Sequence, residues 1–258
     1  MAFVIRSHDH GNCRHLCLVL TLFGLFLGVR AASTETGKKL YFSNDGLEPV
    51  TRAQLGENLV LTCEAGGMPS PVIYWLYKGR RINQGGARIK DDDVIYERPA
   101  QEALLLGSTK SRLSIDCVAR EDVGEYTCVA ETPSQKITST TFLEIEDGLD
   151  MLKACVLDSI TKVKPPKVYM WTAQRIEYEG NDVQLFCRAS DRRDVKITWF
   201  DRNGDEITIN DSQYKILDNG DLVISQIDWM QHMGTYKCVA ENSGGLDSVS
   251  TFLYPTVP

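Results

Sequence analysis

The chain has 258 residues, of which 43% are hydrophobic and 24% are charged. This composition is enough for packed cores and excludes a disordered chain, and the length suggests two small domains. Lys and Arg number 28 against 35 Asp and Glu, so the net charge is -7. An acidic chain without a basic cluster is a poor partner for phosphate backbones, so we predict no binding to nucleic acid.

The first 31 residues predict a secretory signal peptide. Arg6 and Arg14 precede an uncharged, apolar-rich run over residues 16–29, which is too short to cross a bilayer as a helix. Val29 and Ala31 stand where signal peptidase requires small residues. A short membrane anchor is the alternative. We expect residues 1–31 to be removed, and we expect no membrane insertion of the secreted chain, since no later segment is long and apolar enough.

Six cysteines follow the predicted signal peptide. An even number of cysteines in an oxidising compartment indicates disulfides. They are Cys63, Cys117, Cys128, Cys155, Cys187 and Cys238, and none of them forms a C-x-x-C pair. A zinc site is therefore a weak interpretation of these cysteines, and disulfides are the better one.

A repeat divides the rest of the chain into two copies. The string GEYTCVAE over Gly124–Glu131 returns 110 residues later as GTYKCVAE over Gly234–Glu241. Upstream, a cysteine precedes a tryptophan by 12 residues in both copies, Cys63 with Trp75 and Cys187 with Trp199. Several features recurring in one order indicate a duplication rather than chance.

These features resemble the immunoglobulin superfamily. In that family a disulfide joins the two sheets of a sandwich, a tryptophan packs on it, and a tyrosine two residues before the second cysteine forms the tyrosine corner. The matching positions are Cys63 with Cys128, Cys187 with Cys238, the core residues Trp75 and Trp199, and the corner residues Tyr126 and Tyr236. The resemblance predicts an all-β fold of two tandem, I-set-like immunoglobulin sandwiches joined by a short linker.

We place domain 1 at residues 32–146, a linker segment at 147–164 and domain 2 at 165–258. Period-2 alternation supports the strands. In the second copy one face carries Val183, Leu185, Cys187 and Ala189, and the other carries Gln184, Phe186 and Arg188.

The two remaining cysteines lie outside the family pattern. We pair Cys117 with Cys155, which would attach the linker segment to domain 1. Two free thiols or an intermolecular bridge are the alternatives. The segment mixes apolar and charged residues, and its periodicity does not distinguish a helix from a strand.

Nothing in the sequence indicates catalysis, a cofactor or a metal. His232 is the one histidine after the predicted cleavage point, and it stands where the first copy has Asp122 of the family motif. We expect His232 on a surface turn and Asp91–Asp93 on a solvated turn rather than at a metal site. The chain is therefore predicted to be a binding protein and not an enzyme.

Apolar residues on the outer faces of strands C, F and G are the predicted partner-binding surface. In domain 1 they are Tyr74, Leu76, Val129 and Phe142, and in domain 2 Phe200, Val239, Phe252 and Tyr254. Trp171 and the pair Trp229 and Met230 are further candidates. Contact between domains, dimer contact and scattered exposure are the alternatives.

A signal peptide, two immunoglobulin domains and an extra cysteine pair together resemble the secreted two-immunoglobulin-domain insulin-binding proteins of insects. This resemblance implies capture of insulin-like peptide hormones and damping of growth signalling. A cell-adhesion or axon-guidance ligand of neuronal immunoglobulin receptors is the main alternative, because fold does not fix function. Other secreted or cell-surface partners, and a structural matrix role, stay open. The sequon at Asn210 predicts an N-linked glycan.

Overall fold

The computed structural model describes residues 39–85, 103–146, 148, 150–190, 195–208 and 212–258. Three expectations lie outside these residues and stay predictions: the signal peptide, the turn at Asp91–Asp93 and the glycan at Asn210. The described residues form two β-sandwiches, which confirms the predicted fold class.

Eight strands build the first sandwich. They are β1 (Tyr41–Phe42), β2 (Val50–Ala53), β3 (Leu59–Gly67), β4 (Val72–Tyr77), β5 (Arg80–Arg81), β6 (Leu106–Ile115), β7 (Gly124–Glu131) and β8 (Lys136–Ile145). One sheet contains β1, β3 and β6, and the other has the order β2-β8-β7-β4-β5. Along β3 the buried and more exposed residues alternate over Leu61, Thr62 and Cys63, as expected for a strand with one face on the core.

Eight further strands build the second sandwich, after helix α1 (Leu152–Thr161). They are β9 (Val168–Tyr178), β10 (Val183–Leu185), β11 (Cys187–Ala189), β12 (Lys196–Phe200), β13 (Tyr214–Ile216), β14 (Leu222–Ile224), β15 (Gly234–Asn242) and β16 (Gly245–Thr256). A single-turn helix α2 (Trp229–His232) precedes β15. One sheet runs β9-β16-β15-β12, the other runs β10-β14-β13, and β11 pairs with β9.

The cores contain the predicted framework. Disulfides join Cys63 to Cys128 and Cys187 to Cys238 across the two sandwiches. Trp75 and Trp199 are fully buried beside these bonds. Each indole N–H has an acceptor, which a buried tryptophan requires: Trp75 Nε1 donates to Ser111 Oγ and Trp199 Nε1 donates to the Gly220 carbonyl, each at 2.9 Å.

The linker segment is helical where the sequence left helix and strand open. A disulfide between Cys117 and Cys155 attaches α1 to domain 1, with 5.6 Å between the two Cα atoms. The backbone N–H of Met151 also donates to the Leu55 carbonyl at 3.0 Å. The start of α1 is therefore fixed to the first sandwich by one covalent bond and one backbone hydrogen bond.

Main-chain hydrogen bonds join the two sandwiches into one compact unit. Strand β6 pairs antiparallel with β9, so that Leu106 lies opposite Ile176 and Ser111 lies opposite Met170. One sheet therefore continues from domain 1 into domain 2 in the order β1-β3-β6-β9-β16-β15-β12. This pairing also covers an edge of β6 that would otherwise expose unpaired backbone groups.

At the junction of the two sandwiches, side chains are buried that the period-2 alternation of residues 183–189 places on the outward face of domain 2. Phe186 is 5% exposed and Arg188 is 2% exposed. Phe186 packs with Tyr169 and Met170, and Val72 of domain 1 lies against the same cluster. The period-2 pattern of these strands is confirmed, but their second face is covered, since Val72 of domain 1 packs on the Phe186 cluster and Arg188 forms a buried ion pair with Asp221 of its own domain at 2.9 Å.

Both tyrosine corners are present, and their hydroxyls bond to the backbone carbonyls of two different residue types. The hydroxyls of Tyr126 and Tyr236 each donate to the carbonyl four residues upstream, at Asp122 (2.9 Å) and His232 (3.2 Å). Burial raises the pKa of both phenols above the ordinary tyrosine value.

The expectation that His232 lies on the surface is wrong, since it is 1% exposed. Its Nδ1 accepts a hydrogen bond from the backbone N–H of Asp228 at 2.9 Å, which a solvated turn would not require.

Candidate binding surface

The two predicted apolar faces belong to different sheets. In domain 1, strands β4, β7 and β8 lie in the five-stranded sheet, whereas β12, β15 and β16 of domain 2 lie in the sheet that continues from domain 1. The faces therefore do not join into one surface, although the sequence repeat presents them as equivalent.

In domain 1, charged groups surround Tyr74. The guanidinium of Arg81 lies over its ring, with Cζ 4.2 Å from the ring centroid. The Tyr74 hydroxyl donates to Glu131 Oε2 at 2.9 Å and accepts from Lys136 Nζ at 2.8 Å. The bond to Tyr74 raises the pKa of Lys136. The ring already has partners of its own, which makes it a weaker anchor for a ligand.

The other predicted residues of domain 1 differ in exposure. Val129 is 0% exposed, so the expectation that it is exposed is wrong: it lies opposite Tyr74 in the strand register, and the ring of Tyr74 is fixed. Leu76 is half-buried. Phe142 is 44% exposed and lies opposite Val50, which is 38% exposed. Phe142 is thus the accessible aromatic side chain of this face.

In domain 2, aromatic side chains are exposed together near the end of β16. Leu253 points into the core at 0% exposure, while its neighbours Phe252 and Tyr254 are 41% and 37% exposed. The ring of Trp229 meets Tyr254 edge to face, with 5.2 Å between centroids. Met230, beside Trp229, is 74% exposed. Edge-to-face pairs of this kind hold both rings in place and leave their outer faces free for contact.

This aromatic group continues into domain 1. Tyr254 lies opposite Ile176 of β9, and Ile176 lies opposite Leu106 of β6. Residues that are opposite in register share one face of a sheet, so Tyr254, Ile176 and Leu106 form an apolar row across three strands and both domains. We call this row, with Phe252, Trp229 and Met230, the cross-domain surface.

Two predicted residues of domain 2 flank this surface. Phe200 lies opposite Lys237 and Val239 lies opposite Thr198, and both apolar side chains are half-buried. They extend the same outer face toward β12 among polar neighbours.

A buried carboxylate holds the two domains together behind the surface. Glu177 is 0% exposed. Its oxygens accept from the backbone N–H groups of Leu104 (2.7 Å) and Leu105 (2.9 Å) in domain 1 and from Arg175 Nη2 (2.9 Å) in domain 2. Arg175 Nη1 reaches Ser70 Oγ of domain 1 at 3.1 Å. Burial lowers the pKa of Arg175, and the negative charge of Glu177 opposes that shift. This network fixes Leu106 relative to Ile176 and Tyr254.

Trp171 belongs to the junction. It packs against the core of domain 2, and the guanidinium of Arg112 from domain 1 lies 4.9 Å from its ring centroid. The same guanidinium forms an ion pair with Asp247 of domain 2 at 2.7 Å. Trp171 is thus engaged by both domains, which argues against a role as a free binding residue.

Sequence reasoning missed Leu106, Ile176 and Glu177. Leu106 and Ile176 stand in strands that any sandwich contains, and nothing in the sequence indicates that β6 pairs with β9. Among the described residues, no group of three or more metal-ligating side chains converges. No helix in the described ranges is long and apolar enough to cross a membrane.

Comparison with known proteins agrees with this architecture. A family model described as immunoglobulin domain matches residues 47–132 and 165–242. The chain is 32% identical to Zwei Ig domain protein zig-4 of Caenorhabditis elegans, over 78% of this chain and 74% of that protein. It is 29% identical to neural/ectodermal development factor IMP-L2 of Drosophila melanogaster, over 94% and 96% of the two chains.

A solved structure and a larger protein add to these relatives. The crystal structure of neural ectodermal development factor IMP-L2 matches with a TM-score of 0.60 and 26% identity, over 86% of this chain and 96% of that chain. Human Roundabout homolog 3 is 29% identical over 74% of this chain but only 12% of its own length. With two matched immunoglobulin domains and homology to Drosophila IMP-L2 over almost its whole length, the chain belongs to the immunoglobulin superfamily.

Proposed function

We propose that this protein is an extracellular binding protein that captures insulin-like peptides and keeps them from their receptor. The cross-domain surface carries this proposal, because it combines exposed aromatic side chains with an apolar row that continues across both domains. The resemblance to secreted two-immunoglobulin-domain insulin-binding proteins supports the choice of ligand, and the homology to neural/ectodermal development factor IMP-L2 over almost the whole chain supports a role in development.

The physical basis of capture is burial of apolar surface by rigid anchors. Aromatic side chains carry much of the binding energy in protein interfaces. Phe252 and Tyr254 project from a strand that is paired on both sides, and Trp229 is held by its contact with Tyr254. Little conformational entropy is therefore lost on binding, which favours affinity. A hormone whose apolar face is buried here would be withheld from its receptor.

A direct test measures binding of the secreted chain to an immobilised insulin-like peptide. We expect saturable binding by the wild-type chain. Phe252→Asp should weaken it at least about 30-fold, because a charge would replace a central aromatic contact. The far-ultraviolet circular dichroism spectrum should stay unchanged, since Phe252 is 41% exposed and is not part of the buried core cluster of domain 2.

Phe142→Asp is the matched control. The same substitution is made at similar exposure, 44%, but on the five-stranded sheet of domain 1. We expect less than threefold loss of affinity, about 0.6 kcal/mol. Equal loss of affinity in Phe252→Asp and Phe142→Asp would mean that the two faces contribute equally to peptide binding. Loss for Phe142→Asp alone would move the site to domain 1, and no binding by the wild-type chain would refute peptide capture.

An adhesion or axon-guidance ligand is the second candidate, favoured by the match to Roundabout homolog 3. This function predicts binding of the labelled chain to neuronal cells in medium without insulin-like peptide. Binding that needs the peptide, or that is absent, would count against it.

A further inference from the structure

Four basic residues come together on the five-stranded sheet of domain 1. Lys78, Arg80 and Arg81 lie in the hairpin between β4 and β5, and Lys136 begins β8. All four side chains are exposed, and we call them the basic surface. The chain as a whole has a net charge of -7. A local concentration of positive charge on an acidic protein indicates a negatively charged partner.

Tyr74 holds two of these cations close together. The Arg81 Cζ atom lies 4.2 Å from the centroid of the Tyr74 ring, and the Lys136 Nζ atom lies 5.4 Å from it. The two charges are therefore less than about 10 Å apart, which is within the screening length of a 0.1 M salt solution. The hydrogen bond to Tyr74 raises the pKa of Lys136, and the charge of Arg81 opposes that rise. Two like charges held this close repel each other, and a bound anion would relieve the repulsion.

The cations keep their hydrogen-bond donors for an outside anion. The carboxylate of Glu131 accepts the Tyr74 hydroxyl at 2.9 Å. In the part of the chain that the structure describes, none of the four cations forms an ion pair with a carboxylate. Arg52 on the same sheet, in contrast, pairs with Glu144 and Glu146. An anionic ligand would therefore not have to displace an existing ion pair from the basic surface.

The neighbours of the basic surface are hydroxyl groups rather than apolar side chains. Thr138 and Thr140 follow Lys136 on the same face of β8, because alternate residues of a strand share a face, and both are exposed. Phe142 is six residues from Lys136, about 20 Å at the usual rise of a strand. Guanidinium groups bind oxyanions through two parallel hydrogen bonds, and threonine hydroxyls can donate to and accept from sugar hydroxyls. This combination fits a sulfated sugar better than a lipid surface.

We propose that the basic surface binds a sulfated glycosaminoglycan of the extracellular matrix. The inference goes beyond the capture of insulin-like peptides and does not depend on it. The basic surface lies on the five-stranded sheet, whereas the cross-domain surface lies on the sheet that continues from domain 1 into domain 2. The two sheets of a sandwich face opposite ways, so a bound glycan leaves the cross-domain surface open. Glycan binding would hold the secreted chain at cell surfaces and in the matrix.

The first test measures binding of the secreted chain to immobilised heparin at several salt concentrations. We expect saturable binding at physiological ionic strength that weakens steeply with added salt, because each neutralised sulfate releases a counterion. Combining Arg81→Gln with Lys136→Gln should raise the dissociation constant at least about tenfold and reduce the salt slope by about two. The control combines Lys196→Gln with Lys215→Gln, at two exposed lysines of domain 2. It changes the net charge equally and should weaken binding less than about threefold.

A second variant tests whether Tyr74 positions the cations. Tyr74→Phe keeps the ring beneath Arg81 but removes the hydroxyl that accepts from Lys136. We expect about threefold weaker binding to heparin, because Lys136 loses its fixed position. The salt slope should stay as in the wild-type chain, since the number of cations is unchanged. An unchanged affinity would contradict this positioning role.

Failure of the wild-type chain to bind heparin at physiological salt would overturn the proposal. Equal losses in the two double variants would also overturn it, because binding would then follow net charge alone. Hyaluronan, which has carboxylates but no sulfates, should bind at least about tenfold more weakly than heparin, and equal binding would exclude sulfate as the recognised group. A DNA oligonucleotide that binds as tightly as heparin would overturn the choice of a glycan. None of these measurements contains an insulin-like peptide, so they leave the test of peptide capture separate.

Discussion

The two sandwiches share one buried framework but differ in how they complete their tyrosine corners. In domain 1 the carboxylate of Asp122 accepts the backbone N–H of Ala119 at 2.9 Å. In domain 2 the imidazole Nδ1 of His232 accepts the backbone N–H of Asp228 at the same distance. Two different side chains thus satisfy a backbone donor next to the same Tyr-to-carbonyl hydrogen bond. The requirement at this position is an acceptor near the turn, and a carboxylate is one of several groups that provide it.

The sandwiches also differ in what their outer faces contact. On domain 1 the outer face of β4, β7 and β8 carries a tyrosine enclosed by charges and one accessible aromatic residue. On domain 2 the corresponding face continues into domain 1 through β9 and β6. A duplicated domain keeps its core because packing constrains it, whereas its surface is free to acquire a different task in each copy.

The largest expected effect is on stability. It tests whether the junction between the domains contributes as much to the free energy of unfolding as either core does. Replacing Glu177 by Gln removes the charge that holds Arg175 and two backbone N–H groups of domain 1, and leaves a buried guanidinium unpaired. We expect a loss of about 4 kcal/mol in the free energy of unfolding, measured by urea denaturation. The control is Glu144→Gln, which weakens an exposed pair with Arg52 and should cost less than about 1 kcal/mol. A loss in the Glu177 variant as small as that of the Glu144→Gln control would show that the junction contributes little to the free energy of unfolding.

A smaller loss of stability is expected from changes at the tyrosine corners, and it allows the corners of the two domains to be compared. His232→Ala removes a buried side chain and leaves the Asp228 N–H without its acceptor, so we expect a loss of about 3 kcal/mol in unfolding free energy. Asp122→Ala in domain 1 should cost about 1 kcal/mol, because Asp122 is only half-buried and creates little cavity. Thermal unfolding of both variants gives the comparison. If Asp122→Ala is the more damaging, the imidazole is not the equivalent of the carboxylate.

The smallest effect concerns Asp116, whose carboxylate joins domain 1 to Lys164 and Lys167. Burial disfavours its ionised form, but hydrogen bonds from the two lysines outweigh burial and hold the pKa of Asp116 below its ordinary value. A lowered pKa in the folded state means that the stabilisation is complete above the ordinary Asp pKa and is lost as the pH falls through the folded value.

Asp116→Asn should therefore lower the unfolding free energy by less than about 1 kcal/mol at neutral pH. The difference from the wild-type chain should disappear in strong acid, where the wild-type carboxyl is also neutral. Urea midpoints at neutral and acid pH test this expectation. A difference that persists in acid would mean that the amide disturbs packing rather than removing a charge.

Much of the fold could be predicted because its determinants are local or chemically distinctive. The cysteines, Trp75, Trp199 and the two corner tyrosines stand at spacings that few folds require, and the structure places them in the cores. Their alternating neighbours predicted strands. The binding surface was only partly predictable: Phe252 and Tyr254 are exposed as expected, whereas Val129 is covered.

The sequence alone determined that there are two sandwiches, which residues form their cores and which cysteines bridge them, since side-chain chemistry decides burial and disulfide formation. The tertiary structure alone decided that β6 pairs with β9, that Glu177 is the centre of the junction and that Leu106 joins the surface of domain 2. The physical reason is that strands pair through backbone groups, which are the same in almost every residue. A strand edge therefore gives no sign in the sequence of which distant strand will cover it.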